Sequence, residues 1–144
     1  MASILESEAE LGALVRAMRT IAVVGIKDGQ NDPDAPAYSI PLLLAESGRS
    51  VIGINPTIPS ALGQPTLGSV AELPAAVDVI DVFRRSEALP ELAEQLLALP
   101  ASKRPRTVWF QSGIRHDEVA AKLVAAGMSV VQDRCLGVYA RRYR

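Results

Sequence analysis

Residues 20–29 read Thr20-Ile21-Ala22-Val23-Val24-Gly25-Ile26-Lys27-Asp28-Gly29, and two features of that stretch decide the fold. Ile21–Val24 is continuously apolar instead of alternating, which is the pattern of a strand covered by helices on both faces. Gly25 follows at once, where a missing side chain lets the backbone approach a ligand closely. Four further runs of the same kind lie downstream: Val51–Ile54, Val77–Val82, Thr107–Phe110 and Ser129–Val131. The first four of the five recur at about 30 residues, the size of one βαβ unit, and the last follows at a slightly shorter interval. Helical stretches separate them. Leu42–Glu46 precedes Ser47-Gly48 and Ala120–Ala126 precedes Gly127, with glycine where a left-handed helix cap belongs, and Leu89–Leu97 stops before Pro100. An opening helix over about residues 6–18 places Leu11, Leu14, Val15 and Met18 on one face. The alternation predicts an α/β protein with a Rossmann-like, doubly wound parallel sheet of about five strands in three α/β/α layers.

Composition bounds what such a domain does. The chain has 144 residues, 49% hydrophobic and 22% charged, with a formal net charge of −1. That describes an ordered globule, read here as one domain over 1–144 with a core over about 20–137 and a short basic C-terminal tail, Tyr139–Arg144, expected to be a solvated end. A near-neutral surface gives no attraction for nucleic acid or a membrane. No apolar run reaches the length of a membrane span. The amino terminus is acidic and only patchily apolar, so no secretory signal is expected, and the cytoplasm is the expected compartment. A single cysteine, Cys135, excludes an internal disulfide and any multi-cysteine metal site.

In open parallel sheets, ligands bind beyond the carboxyl ends of the strands where the winding reverses. The loops to read are therefore Gly25–Ser39, Asn55–Pro59, Phe83–Ser86, Gln111–Arg115 and Gln132–Cys135. They carry Lys27, Arg84, Arg85, Arg115 and Arg134, so cations follow four of the five strands. Positive charge concentrated at one edge of a near-neutral protein suits a polyanionic ligand. The first loop has neither Gly-x-Gly-x-x-Gly nor the Gly-Lys-Ser/Thr ending of a P-loop. It runs long, through Asp32–Ser39, to a helix expected to begin near Ile40-Pro41. Ser39 then either caps that helix or bonds a phosphate. The second strand ends Ile54-Asn55-Pro56-Thr57, without the acidic residue that holds a ribose in dinucleotide folds, so a nicotinamide cofactor is disfavoured. Asn55-Pro56 also reads as a simple chain turn.

Five motifs in this order carry a resemblance. Ile21–Gly25, Asn55-Pro56, Asp78–Arg84, Val108–Gly113 and Asp133–Cys135 together resemble the small CoA-binding protein family, over about Ala17 to Val138. That family is similar in turn to the CoA-binding domain of the succinyl-CoA synthetase α subunit. The resemblance implies that coenzyme A or an acyl-CoA is the ligand. It implies that Gly25, Ile26, Lys27 and Asp28 lie against its phosphates, with Ser39 a further candidate. Asn55, Pro56, Val82, Phe83 and Arg84 would flank the adenosine, and Gln111, Ser112 and Gly113 would border the pantetheine. Relatives often carry Lys or Arg where this chain has Thr57.

Catalytic candidates are few, and a binding module without its own chemistry is the expectation. The synthetase's histidine-bearing second domain is expected to be absent. The only histidine, His116, sits at a predicted helix start, read as an exposed first-turn residue. No metal site is expected from one histidine and one cysteine. Asp78 is expected at a strand start, and Asp81 is expected to bond backbone or Arg84. Cys135, beside Arg134, reads as inert packing or as a thiol of lowered pKa suited to acyl transfer. Acyl-CoA transfer through Cys135 and NAD(P)-dependent reduction are the enzymatic alternatives. Trp109 and Phe110 are read as core.

Overall fold

The computed structural model describes residues 1–143; Arg144, the last residue of the expected tail, lies outside them. Its main sheet has five parallel strands: β1 (Thr20–Val24), β2 (Ser50–Ile54), β5 (Val79–Val82), β6 (Thr107–Phe110) and β7 (Ser129–Val131), in the order β2-β1-β5-β6-β7. A small antiparallel hairpin, β3 (Ser60–Ala61) and β4 (Gln64–Pro65), follows β2. Among the described residues there are five α-helices: α1 (Glu8–Ala17), α2 (Pro36–Glu46), α3 (Leu89–Leu97), α4 (Asp117–Ala125) and α5 (Leu136–Arg142). The expected parallel, doubly wound α/β architecture is therefore present. Among the described residues no helix is long and apolar enough to cross a membrane.

Strand alternation sorts the apolar runs onto two faces. Ile21, Val23, Val79, Trp109 and Val131 pack with Leu11, Val15, Ile40, Leu44 and Leu136 of α1, α2 and α5. Ala22, Val24, Ile80, Val82, Val108 and Phe110 pack with Leu92, Leu96, Val119 and Leu123 of α3 and α4. Covering both faces is why the strands lack polar alternation. The sheet's outer edges are also occupied. Ile4 bridges to Val130 beside β7, and Leu67 bridges to Ile54 beside β2, so short segments blunt the unpaired strand edges.

Three boundaries depart from expectation. The third strand begins at Val79, not Val77; Asp78 precedes it, its carboxylate accepting the backbone N–H groups of Arg19 (2.7 Å) and Thr20 (3.1 Å). Helix α2 begins at Pro36, four residues before Ile40, because proline's fixed φ suits the first helical position. Pro41 inside α2 has no N–H to give the Ala37 carbonyl, and Lys27 N–H donates to that carbonyl instead (3.0 Å). A helix defect thus becomes an anchor for the loop after β1. The expected solvated tail is instead α5. Leu136, Tyr139 and Ala140 are buried, and the Tyr139 and Tyr143 hydroxyls both donate to Glu8 (2.9 Å each). Basic composition concealed an amphipathic helix with one apolar face.

Candidate functional site

Strand order locates the site. From β1 the chain winds outward to β2, then crosses back to pair β5 on the other side of β1. The loops leaving β1 and β5 consequently diverge, which opens the crevice characteristic of a topological switch point. A cleft of about 550 Å³ lies there, with Gly25, Lys27, Asn55, Pro56, Thr57, Phe83, Arg84 and Arg85 among its walls. A smaller recess of about 280 Å³ adjoins it toward α3, sharing Pro56, Arg84 and Ala88.

Gly25 sets how closely the two loops approach. Its φ is +87°, and a Cβ there would lie 2.5 Å from the Phe83 carbonyl oxygen. Its N–H donates to Ile54 (2.9 Å), while Phe83 N–H donates to Val24 (2.9 Å). The floor is therefore backbone locked across β2, β1 and β5, with no side chain at the closest point.

Asn55 holds the adjacent wall. It is buried, and its Nδ2 donates to the Ile26 carbonyl at 2.9 Å. Its Oδ1 accepts from Thr57 N–H (2.8 Å) and the Thr57 hydroxyl (2.7 Å). This is an Asx turn that also clamps the β1 loop to the β2 loop. The Asn55 amide is committed to these partners, so its role is to position both walls. Thr57, where a cation was the family expectation, faces the cleft as Asn55's partner.

The remaining predicted residues divide sharply. Lys27, Arg84 and Arg85 converge on the cleft and give its cationic lining. Ile26 is fully buried, packed over Gly53, and Val82 lies inside the core. Asp28 folds back, accepting from Gln30 N–H and Asn31 Nδ2 at 2.9 Å each, and borders a separate hollow beside Tyr38. Ser39 lies within α2, so it caps nothing; it is exposed and away from the cleft lining. Gln111, Ser112 and Gly113 follow β6, one strand beyond the crevice, and do not line it. Arg115 pairs with Asp117 (3.1 Å), and Arg134 donates to the carbonyls of Gln132 and Asp133; neither joins the cleft. Cys135 is half-buried at the start of α5, beyond β7, and is also outside it. His116 is the cap of α4: its Nδ1 accepts Val119 N–H at 3.1 Å.

Asp81 overturns its expected pairing with backbone or Arg84. β5 ends at Val82, and Arg84 lies beyond it in the turn that lines the cleft, whereas Asp81 is inside the sheet. Asp81 is fully buried, its Oδ1 accepting from Gln111 Nε2 (2.6 Å) and its Oδ2 without a partner among the described residues. Burial pushes its pKa up to about 8, opposed only by the Gln111 bond. At neutral pH it is therefore largely a neutral acid. Its line of action ties β5 to the Gln111 end of β6, behind the crevice.

Comparison with known proteins identifies the family and the shared fold. A family model described as a CoA binding domain matches residues 19–141. The uncharacterized protein YneT of Bacillus subtilis (strain 168) is 34% identical over 132 residues, covering 92% of this chain and 93% of that protein. A solved structure from Thermus thermophilus is 38% identical, with a TM-score of 0.86, covering 96% of this chain and 100% of its own. A dinucleotide-forming acetyl-coenzyme A synthetase from Ca. Korarchaeum cryptofilum, solved with phosphate and ADP, is 22% identical with a TM-score of 0.62. The match covers 83% of this chain and 27% of that one, and shows the shared fold.

Proposed function

This chain belongs to the CoA binding domain family, and from that membership we propose that it binds coenzyme A or an acyl-CoA in the Gly25–Arg84 cleft, as a binding module. The observation that carries the reading is the convergence of Lys27, Arg84 and Arg85 on a crevice whose floor is the bare backbone of Gly25. Coenzyme A presents a diphosphate and a ribose phosphate. Three cations around a close backbone approach, with Glu87 the one carboxylate on the wall, leave the cleft net positive toward that charge, and the guanidinium groups have the planar fork that donates to phosphate oxygens. Lys27 and Gly25 would meet the diphosphate, while Pro56, Phe83 and Arg84 would border the adenosine, which the adjoining recess toward α3 has room to receive. Asn55 would hold the walls without touching the ligand.

The geometry gives the pantetheine arm no equally defined seat. Gln111–Gly113 lie one strand away from the cleft. The proposed recognition is therefore concentrated on the nucleotide end, which predicts similar affinity for free and acylated forms. Isothermal titration with CoA, acetyl-CoA, NAD, NADP and ATP tests this. CoA and acetyl-CoA should bind saturably and more tightly than either nicotinamide nucleotide. Lys27→Glu should weaken CoA by at least about tenfold, the value of a lost charge-assisted contact. Undiminished affinity in that variant would remove the phosphate assignment, and preference for NADP would replace the ligand.

A further inference from the structure

A second concavity, of about 540 Å³, opens at the opposite edge of the sheet, where the chain enters β1 and β2. Arg16, Arg19, Arg49 and Arg141 line it, over an apolar floor that includes Leu43 and Ala140. Glu46 is the one carboxylate on its wall. Among the described residues the ion pairs are Arg115–Asp117 and Arg142–Glu8, so none of the four arginines has a carboxylate partner.

Two of the arginines are held in place by the fold. Arg49 donates to the carbonyls of Val15 (2.8 Å) and Met18 (3.3 Å) and to the Ser47 hydroxyl (2.7 Å). Arg19 donates to the carbonyls of Arg16 (2.8 Å) and Met18 (2.9 Å). These contacts offset the negative end of α1 and fix both cations on the wall. The other two have no such explanation. Arg16 stacks over the Tyr143 ring at 4.9 Å, and Arg141 donates no side-chain hydrogen bond among the described residues. Burial lowers the pKa of Arg49, and the nearby charge of Arg19 lowers it further. A protein of net charge −1 has thus gathered four guanidinium groups around a hollow remote from the Lys27–Arg84 cleft.

We propose that this groove is a second ligand site, which takes a small organic polyanion with its negative groups among Arg16, Arg19, Arg49 and Arg141 and its apolar body on Leu43 and Ala140. Phosphate and carboxylate share the chemistry that guanidinium forks recognise. The hollow falls in the size range of small-molecule pockets, roughly 300–1,000 Å³, and exceeds what a lone inorganic ion fills. Two cations pre-anchored on backbone carbonyls reduce the ordering cost of binding.

Calorimetric titration with phenyl phosphate, inorganic triphosphate and citrate, none of them a nucleotide, tests the proposal on the full chain, with Arg16→Ser/Arg141→Ser and Lys27→Glu as the two variants. Arg16 and Arg141 are exposed, so their replacement leaves the core intact. Saturable binding of at least one anion is expected, weakened at least about tenfold in the double arginine variant and within about twofold of wild type in Lys27→Glu. Whichever of triphosphate or citrate binds identifies the head group as phosphate or carboxylate. Absence of saturable binding by all three overturns the proposal. So does binding that survives in the arginine variant, or that disappears in Lys27→Glu and thereby belongs to the first cleft.

Discussion

Replacing Asp81 by asparagine should change how the protein's stability depends on pH far more than it changes the fold. Asp81 is fully buried on the central strand, its pKa raised from 3.8 to about 8. Unfolding releases it to water, where it ionises at its ordinary value. Between those two pKa values the unfolded chain holds fewer protons at this site than the folded one, so folding stability falls as pH rises. The slope is about 1.4 kcal/mol per pH unit, and the interval from 3.8 to about 8 gives a span of order 6 kcal/mol. Its contribution is complete below about pH 4 and is lost as pH climbs through about 8, above which the curve flattens. An asparagine side chain keeps an oxygen to accept from Gln111 and has no acidic proton to lose. Urea unfolding of wild type and Asp81→Asn, measured every half unit from about pH 5 to about pH 9, isolates the effect, because all other groups cancel in the difference. The wild-type advantage over the variant should fall by about 3 kcal/mol or more from about pH 5 to about pH 8. Parallel profiles would refute the reasoning, since they would mean that Asp81 is solvated or ionised inside the folded protein.

Other perturbations probe the cleft's construction. Gly25→Ala should cost roughly 2–4 kcal/mol in thermal or urea unfolding, because φ +87° is strained for alanine and its Cβ would meet the Phe83 carbonyl. Asn55→Ala should lower stability by roughly 1–3 kcal/mol, by leaving the Ile26 carbonyl and Thr57 N–H without their partner, and should also weaken CoA by loosening both walls. Thr57→Lys places a fourth cation at the cleft and should tighten CoA while steepening the salt dependence of binding; a salt dependence like that of wild type would show that position 57 does not face the phosphates. Cys135→Ser should leave CoA affinity unchanged in the same titration, because Cys135 lies beyond β7.

The sheet was legible because its signal is local: each strand is a short apolar run, and successive parallel strands follow at about one βαβ unit, although β1 and its neighbour β5 are two units apart across the crossover. The switch-point edge was legible for the same reason. What failed was whatever depended on composition alone. Pro36 read as loop, although proline is preferred at a helix start. The arginines of α5 masked Leu136, Tyr139 and Ala140, whose spacing on one face was the available signal. The hairpin at Ser60–Pro65 is too short for periodicity to reveal, though Leu62-Gly63 marks its turn with two positive φ values. Of the site, Lys27, Arg84 and Arg85 follow strands that lie side by side and do converge. Arg115 and Arg134 follow strands farther from the crossover, and no reading of the chain without its strand order separates them. The Asn55 clamp and the Asp81–Gln111 pair bring together residues 29 and 30 positions apart, and only the fold makes them neighbours.

Occupancy of the crevice between the β1 and β5 loops by coenzyme A is read most directly by amide chemical-shift mapping during a CoA titration. Saturable shifts should be largest at Gly25, Lys27, Thr57, Phe83, Arg84 and Arg85, with Ser47, Gly48 and Arg49 at the far edge unmoved. Shifts that are largest at the far edge, or that never saturate, would contradict it.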